Sequence, residues 1–162
     1  MGVAELSGVL WRERQLLELL LFKLEEEQLV LSSGRSRWLG HATREVEQVL
    51  DQIREAEFGR AVEADDAARE FGVEPGSGLL ALANAAPEPW KELLTSHREA
   101  FVSLTSQIQD VAQGNRELLT SSHRAAQETI LGLQETVQTY DPRGSATSSS
   151  SDPTAQLIDQ SF

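Results

Sequence analysis

Between residues 90 and 129 the chain repeats a single spacing. Trp90, Leu94, His97, Phe101, Leu104, Ile108, Val111, Asn115, Leu118, Ser122, Ala125 and Thr129 follow one another in unbroken steps of four and three. Alternating steps of this kind average 3.5 residues, the period of a helix that supercoils against a neighbour. A strand needs period two, so this segment cannot be sheet. Pro87 and Pro89 are tolerated in a first turn, and the helix is expected from about Glu88 to Val137. At 1.5 Å per residue it would be roughly 75 Å long, wider than a single globular core. The constraint therefore favours an elongated all-α bundle.

Two further long helices are expected before it. Over Val3–Ser32, Leu6, Leu10, Leu17, Leu20, Leu24 and Leu31 lie on one stripe, spaced in threes, fours and sevens. Leu16, Leu19, Leu21 and Phe22 widen that face beyond a two-stranded seam, so this helix should touch two neighbours. Ser33 and Gly34 form a plausible stop. Over Arg37–Phe71, Leu39, Ala42, Val46, Val49, Ile53 and Ala56 repeat the alternation. After Gly59 the stripe weakens to Ala61, Ala64, Ala68 and Phe71, and the glycine reads as a soft point where the helix bends or frays. Gly72 and the run from Glu74 to Gly78 end the segment, and a short helix over Leu79–Ala85 comes next. The predicted fold class is all-α: an elongated antiparallel bundle or coiled coil of three long helices with a short extra one. It occupies residues 1–140. From 141 to 162 a Ser-rich tail cannot bury apolar area and should be disordered, with Leu157, Ile158 and Phe162 apolar at its end.

Charge narrows the function. Among 162 residues, 26 acidic side chains face 14 basic ones, a net charge of −12. Nucleic acid requires the opposite sign, and an anionic membrane surface is disfavoured for the same reason. The chain has no cysteine, which removes disulfides, thiolate metal sites and thiol chemistry. The Leu-rich run from Leu16 to Leu24 contains Glu18 and Lys23 and is too short and too charged to insert in a bilayer. A cytoplasmic location is the default.

No residue pattern points to catalysis, a cofactor or a metal. Trp38, Leu94 and Thr120 stand three positions before His41, His97 and His123, so the Glu-x-x-His pairs of a di-metal bundle are missing. There is no His-Glu-x-x-His stretch, no nucleophile elbow and no phosphate loop. The run Glu25-Glu26-Glu27 reads as a solvated face. His97 is expected at a rim or beside a carboxylate. Asn115 interrupts an apolar seam, either to fix register at a cost in stability or, with Gly114, as a point where the helix kinks. Beyond it the seam softens to Ser122, Ala125 and Thr129 while Ile130, Leu133 and Val137 stay apolar. The seam there is either covered by the first helix or open to a partner helix.

The chain resembles the flagellar export chaperone family FlgN, in its actinobacterial form. The segments that carry the likeness are Leu16–Glu27, Arg37–Val46, Asn115–Leu119 and Thr139–Gly144. The resemblance implies a cytosolic chaperone that holds the hook–filament junction proteins FlgK and FlgL. It would bind their C-terminal helical segments and deliver them to the gate of the flagellar type III export apparatus. It also implies that the last long helix and the segment after it make the contact. By position this assigns Asn115, Leu118, Leu119, Ala126, Ile130, Leu133 and Val137 to the client and Tyr140 to the export gate protein. No enzyme activity and no cofactor are implied, and a homodimer is possible. Two other readings stand beside it. Trp38-Leu39-Gly40 matches the turn triplet of WXG100-type secreted hairpins, and a coiled-coil adaptor without an export role would share the same helices.

Overall fold

A computed structural model describes residues 2–139. Tyr140 and the tail 141–162 lie outside the described residues. The chain divides into two units, Met1–Thr120 and Ser121–Phe162. The described residues form α1 (Gly2–Ser33), a 3-10 turn (Ser36–Trp38), α2 (Leu39–Phe71), α3 (Leu79–Ala85) and α4 (Trp90–Thr139).

In the first unit, two apolar clusters set the directions of the helices. One joins Leu6 and Leu10 of α1, Ala67 and Ala68 of α2, Leu82 and Ala83 of α3, and Leu94 of α4. The other joins Leu16, Leu20 and Leu24 to Val46, Val49, Ile53 and Ala56, with Ile108, Val111 and Ala112 of α4 packed against them. The start of α1 thus lies by the end of α2, and the first part of α4 runs alongside α1 in the same sense. The predicted seam is the buried side of α4 up to Leu118. Gly2 sits at a close approach of α1 to α2: a Cβ there would lie 2.8 Å from the backbone nitrogen of Ala67.

Helix α2 ends at Gly72, which adopts φ 69°, ψ 29°. There the Val73 N–H donates to the Ala68 carbonyl at 2.8 Å, and Val73 packs against the first cluster. This is the glycine-terminated end that an L side chain resists.

α2 runs through Gly59 as unbroken helix, without the fraying that the glycine suggested. The penalty for glycine in a helix is about 1 kcal/mol, less than packing of the flanking turns returns. A Cβ at Gly59 would meet no atom within 4 Å. Gly59→Ala is therefore expected to raise unfolding stability by about 0.5–1 kcal/mol, read as a higher urea midpoint with unchanged slope.

Candidate functional site

A polar layer ties the three long helices together near the end of α1. The Asn115 side-chain amide of α4 donates to the Leu24 carbonyl at 2.9 Å and to Glu27 Oε1 at 3.0 Å. Glu27 Oε2 accepts from the Thr43 hydroxyl of α2 at 3.1 Å. Asn115 is 2% exposed and Glu27 7%. Asn115 is a buried, hydrogen-bonded member of the seam, as a register-fixing residue would be, and α4 continues through Gly114 and Asn115 as helix. Beside it, a Cβ at Gly114 would lie 3.2 Å from Gln28 Nε2, the end of a flexible side chain. Glu27 corrects the expectation of a fully solvated acidic run, because Asn115 and Thr43 supply donors that let its carboxylate be buried.

The sequence-predicted client residues fall into distinct environments. Asn115 is enclosed and its amide is committed to α1, so it has almost no surface to offer. Leu118 is half-buried and Leu119 is 40% exposed, both still in the first unit. In the second unit, residues 121–136 are all exposed. Ala126, Ile130 and Leu133 lie there, the last two 44% and 62% exposed. Their steps of four and three place them on one side of the helix. Sequence reasoning missed Leu131, which is 58% exposed and off the stripe. Nothing in its spacing marks it. Val137 lies in α4, but its side chain is outside the described residues, as is Tyr140. The Thr129 and Thr136 hydroxyls donate to the carbonyls of Ala125 and Gly132 at 2.9 Å.

His97 departs from the expectation of a rim position or a carboxylate partner. It is fully buried, edge-on to Trp11 at 4.7 Å and stacked with Phe101 at 6.2 Å. Neither ring nitrogen has a hydrogen-bond partner among the described residues. Burial holds its pKa below the usual imidazole value, and the Arg14 charge pushes the same way. A depressed histidine pKa favours the fold above the unfolded value of about 6.5, and that stability is lost as pH falls through the folded pKa. Glu13 has the opposite sign. Its Oε1 meets Arg60 at 3.2 Å, its Oε2 has no partner among the described residues, and burial raises its pKa against the pull of Arg60. Its contribution is complete below the unfolded carboxylate pKa and is lost as pH rises through the folded one. His97→Leu is expected to flatten the loss of stability between neutral pH and about pH 5.5, read from urea midpoints at both.

An apolar recess between α1, α2 and α3 is lined by Leu6, Leu10, Ala64, Leu79 and Leu82, with Arg60 as its charged member. Arg60 is already paired with Glu13. Among the described residues no cluster of His, Asp or Glu could hold a metal ion. No described helix is long and apolar enough to cross a membrane. What the arrangement offers is apolar helical surface.

The sequence profile of the FlgN protein family matches residues 1–148, nearly the whole chain. The chain belongs to the FlgN family. No curated protein and no solved structure matches it. FlgN membership points to flagellar export chaperones in general and away from enzymes. It also covers the Trp38-Leu39-Gly40 triplet, which spans the end of the 3-10 turn and the first residues of α2, where Arg37 stacks over Trp38 at 4.5 Å.

Proposed function

We propose that this FlgN-family protein is a cytosolic export chaperone. It binds the C-terminal helical segments of the hook–filament junction proteins FlgK and FlgL and passes them to the type III export gate. The observation that carries this reading is the exposed apolar set of α4 in the second unit, Ile130, Leu131 and Leu133. Each large aliphatic side chain that a client helix covers contributes roughly 1.5–3 kcal/mol. A few of them, less the cost of ordering two helices, reach micromolar affinity. Such affinity holds an amphipathic segment yet lets it leave without nucleotide hydrolysis. Ala126 gives the client close access to the α4 backbone, and Leu118, Leu119 and Val137 are proposed as further contacts. Asn115 acts indirectly, by fixing the register of α4. Tyr140 is proposed as the contact for the gate protein.

The reading is tested by calorimetric titration of the full chain with the C-terminal peptides of FlgK and FlgL. Saturable binding in the micromolar range is expected. No heat at tens of micromolar would remove the chaperone assignment and leave a helical adaptor.

A further inference from the structure

The turn between α1 and α2 is basic, although the whole chain carries a net charge of −12. From Gln28 to Arg44 there is no aspartate or glutamate, and Arg35, Arg37, His41 and Arg44 all fall in that stretch. These four side chains are exposed, and so is Trp38, at 46%. The Arg37 guanidinium lies over the Trp38 ring at 4.5 Å, and the Trp38 and His41 rings stand 5.7 Å apart. Arg44 Nη2 is 3.5 Å from His41 Nδ1, and Arg44 Nε donates to the Gly40 carbonyl at 3.0 Å. Guanidinium, indole, imidazole and guanidinium therefore follow one another as a continuous strip over the 3-10 turn and the start of α2. Other basic groups of the first unit are matched: Arg14 with Glu18, Lys23 with Glu45, Arg54 with Asp51, Arg60 with Glu13 and Arg69 with Asp66. Among the described residues Arg35, Arg37 and Arg44 form no such pair, and Glu45, next to Arg44 in sequence, is turned to Lys23 at 2.9 Å.

We propose that this strip is a docking surface for an acidic segment of another protein, one that presents two or more carboxylates around an aromatic or aliphatic side chain. Charge complementarity selects the carboxylates. A guanidinium receives a carboxylate through two parallel N–H donors, and three arginines without a carboxylate of their own supply that geometry. The Trp38 indole offers the flat apolar area between them. Arg37 is held by the ring beneath it and Arg44 by the Gly40 carbonyl, so less side-chain freedom is lost on binding than with unrestrained arginines.

The surroundings of the turn favour a narrow ligand. Glu25 and Glu26 on α1 and Glu45 and Glu47 on α2 restore the acidic character about 10 Å along the helix axes from the turn. A membrane or a nucleic acid is broad enough to face those carboxylates as well as the arginines. An extended segment laid across the turn meets the arginines alone, and at physiological ionic strength the charges beyond about 8 Å are screened. Because the pairs that form are exposed, the binding is reversible and sensitive to salt. The strip lies wholly within the first unit, and its recognition does not depend on what α4 binds.

The test is fluorescence anisotropy of a labelled peptide, glutamates on both sides of a phenylalanine, titrated with the full chain. Saturable binding that weakens as salt is raised is expected. Arg35→Glu combined with Arg37→Glu should weaken it at least about tenfold, with an unchanged circular dichroism spectrum. Arg54→Glu combined with Arg69→Glu is the matched control on α2. Each replacement changes the charge by −2, so both double variants go from −12 to −16. The control should stay within about twofold of wild type, because its charges lie away from the strip. Trp38→Ala alters no charge and should weaken binding about threefold or more. Vesicles of phosphatidylglycerol and phosphatidylcholine should not carry the protein down at physiological salt. Absence of binding, equal weakening by the α2 control, indifference to Trp38→Ala, or sedimentation with the vesicles that is lost in Arg35→Glu with Arg37→Glu would each overturn the proposal.

Discussion

Ile130→Asp is expected to weaken binding of the FlgK and FlgL C-terminal peptides by about 100-fold or more. The thermal unfolding of the chaperone should stay where it is. The reasoning rests on where the side chain stands before a client arrives. Ile130 is 44% exposed, so an aspartate there stays hydrated in the free protein. A client helix laid over it would have to strip water from a carboxylate with no compensating donor, which costs several kcal/mol. Each 1.4 kcal/mol is a factor of ten in affinity. Calorimetry of the variant gives the affinity and a melting scan gives the stability. Undiminished affinity would move the client away from this part of α4. Leu118→Asp is a poorer probe. Leu118 is half-buried in the first unit, so its loss of binding could follow from a damaged bundle.

Leu94→Ala should have the opposite profile. Leu94 is fully buried in the cluster that joins all four helices. Truncating it removes apolar contacts within that cluster and leaves a cavity. Such substitutions cost about 2–5 kcal/mol, a large share of the about 5–15 kcal/mol that holds a typical domain together. Urea unfolding should show the midpoint falling by that amount. Leu133→Ala is the paired control. At 62% exposure it should change stability by less than about 0.5 kcal/mol and act on client affinity alone. Comparable destabilisation by both would mean that Leu133 is covered within the free protein.

Much of the architecture could be read directly from spacing. The steps of four and three that begin at Trp90 placed the buried side of α4 as far as Leu118, and Gly72 placed the end of α2. Both are local signals: a helical period repeats within a few turns, and a left-handed residue after a helix selects glycine. Gly59 did not fray α2, because propensity acts locally while the persistence of a helix is decided by packing along its whole length.

The polar and surface positions were much less legible. That Asn115 is buried and hydrogen-bonded required knowing that Leu24, Glu27 and Thr43, all distant in sequence, come to the same level. Glu25, Glu26 and Glu27 look alike in the chain, yet only the last meets an amide and a hydroxyl from two other helices. His97 occupies a seam position that spacing identified. The rings of Trp11 and Phe101 that enclose it come from the packing of α4 on α1 and from the next turn of α4. Likewise, Leu19 and Phe22 read as extensions of the core face, but the bundle turns them outward. The all-helical class, the helix boundaries to within about two residues and the inner seams were legible in the chain, because they come from periodicity and termination. Which polar groups are buried and which apolar ones stay exposed emerged from the packing of the helices. Burial is a property of neighbours that distant parts of the chain supply.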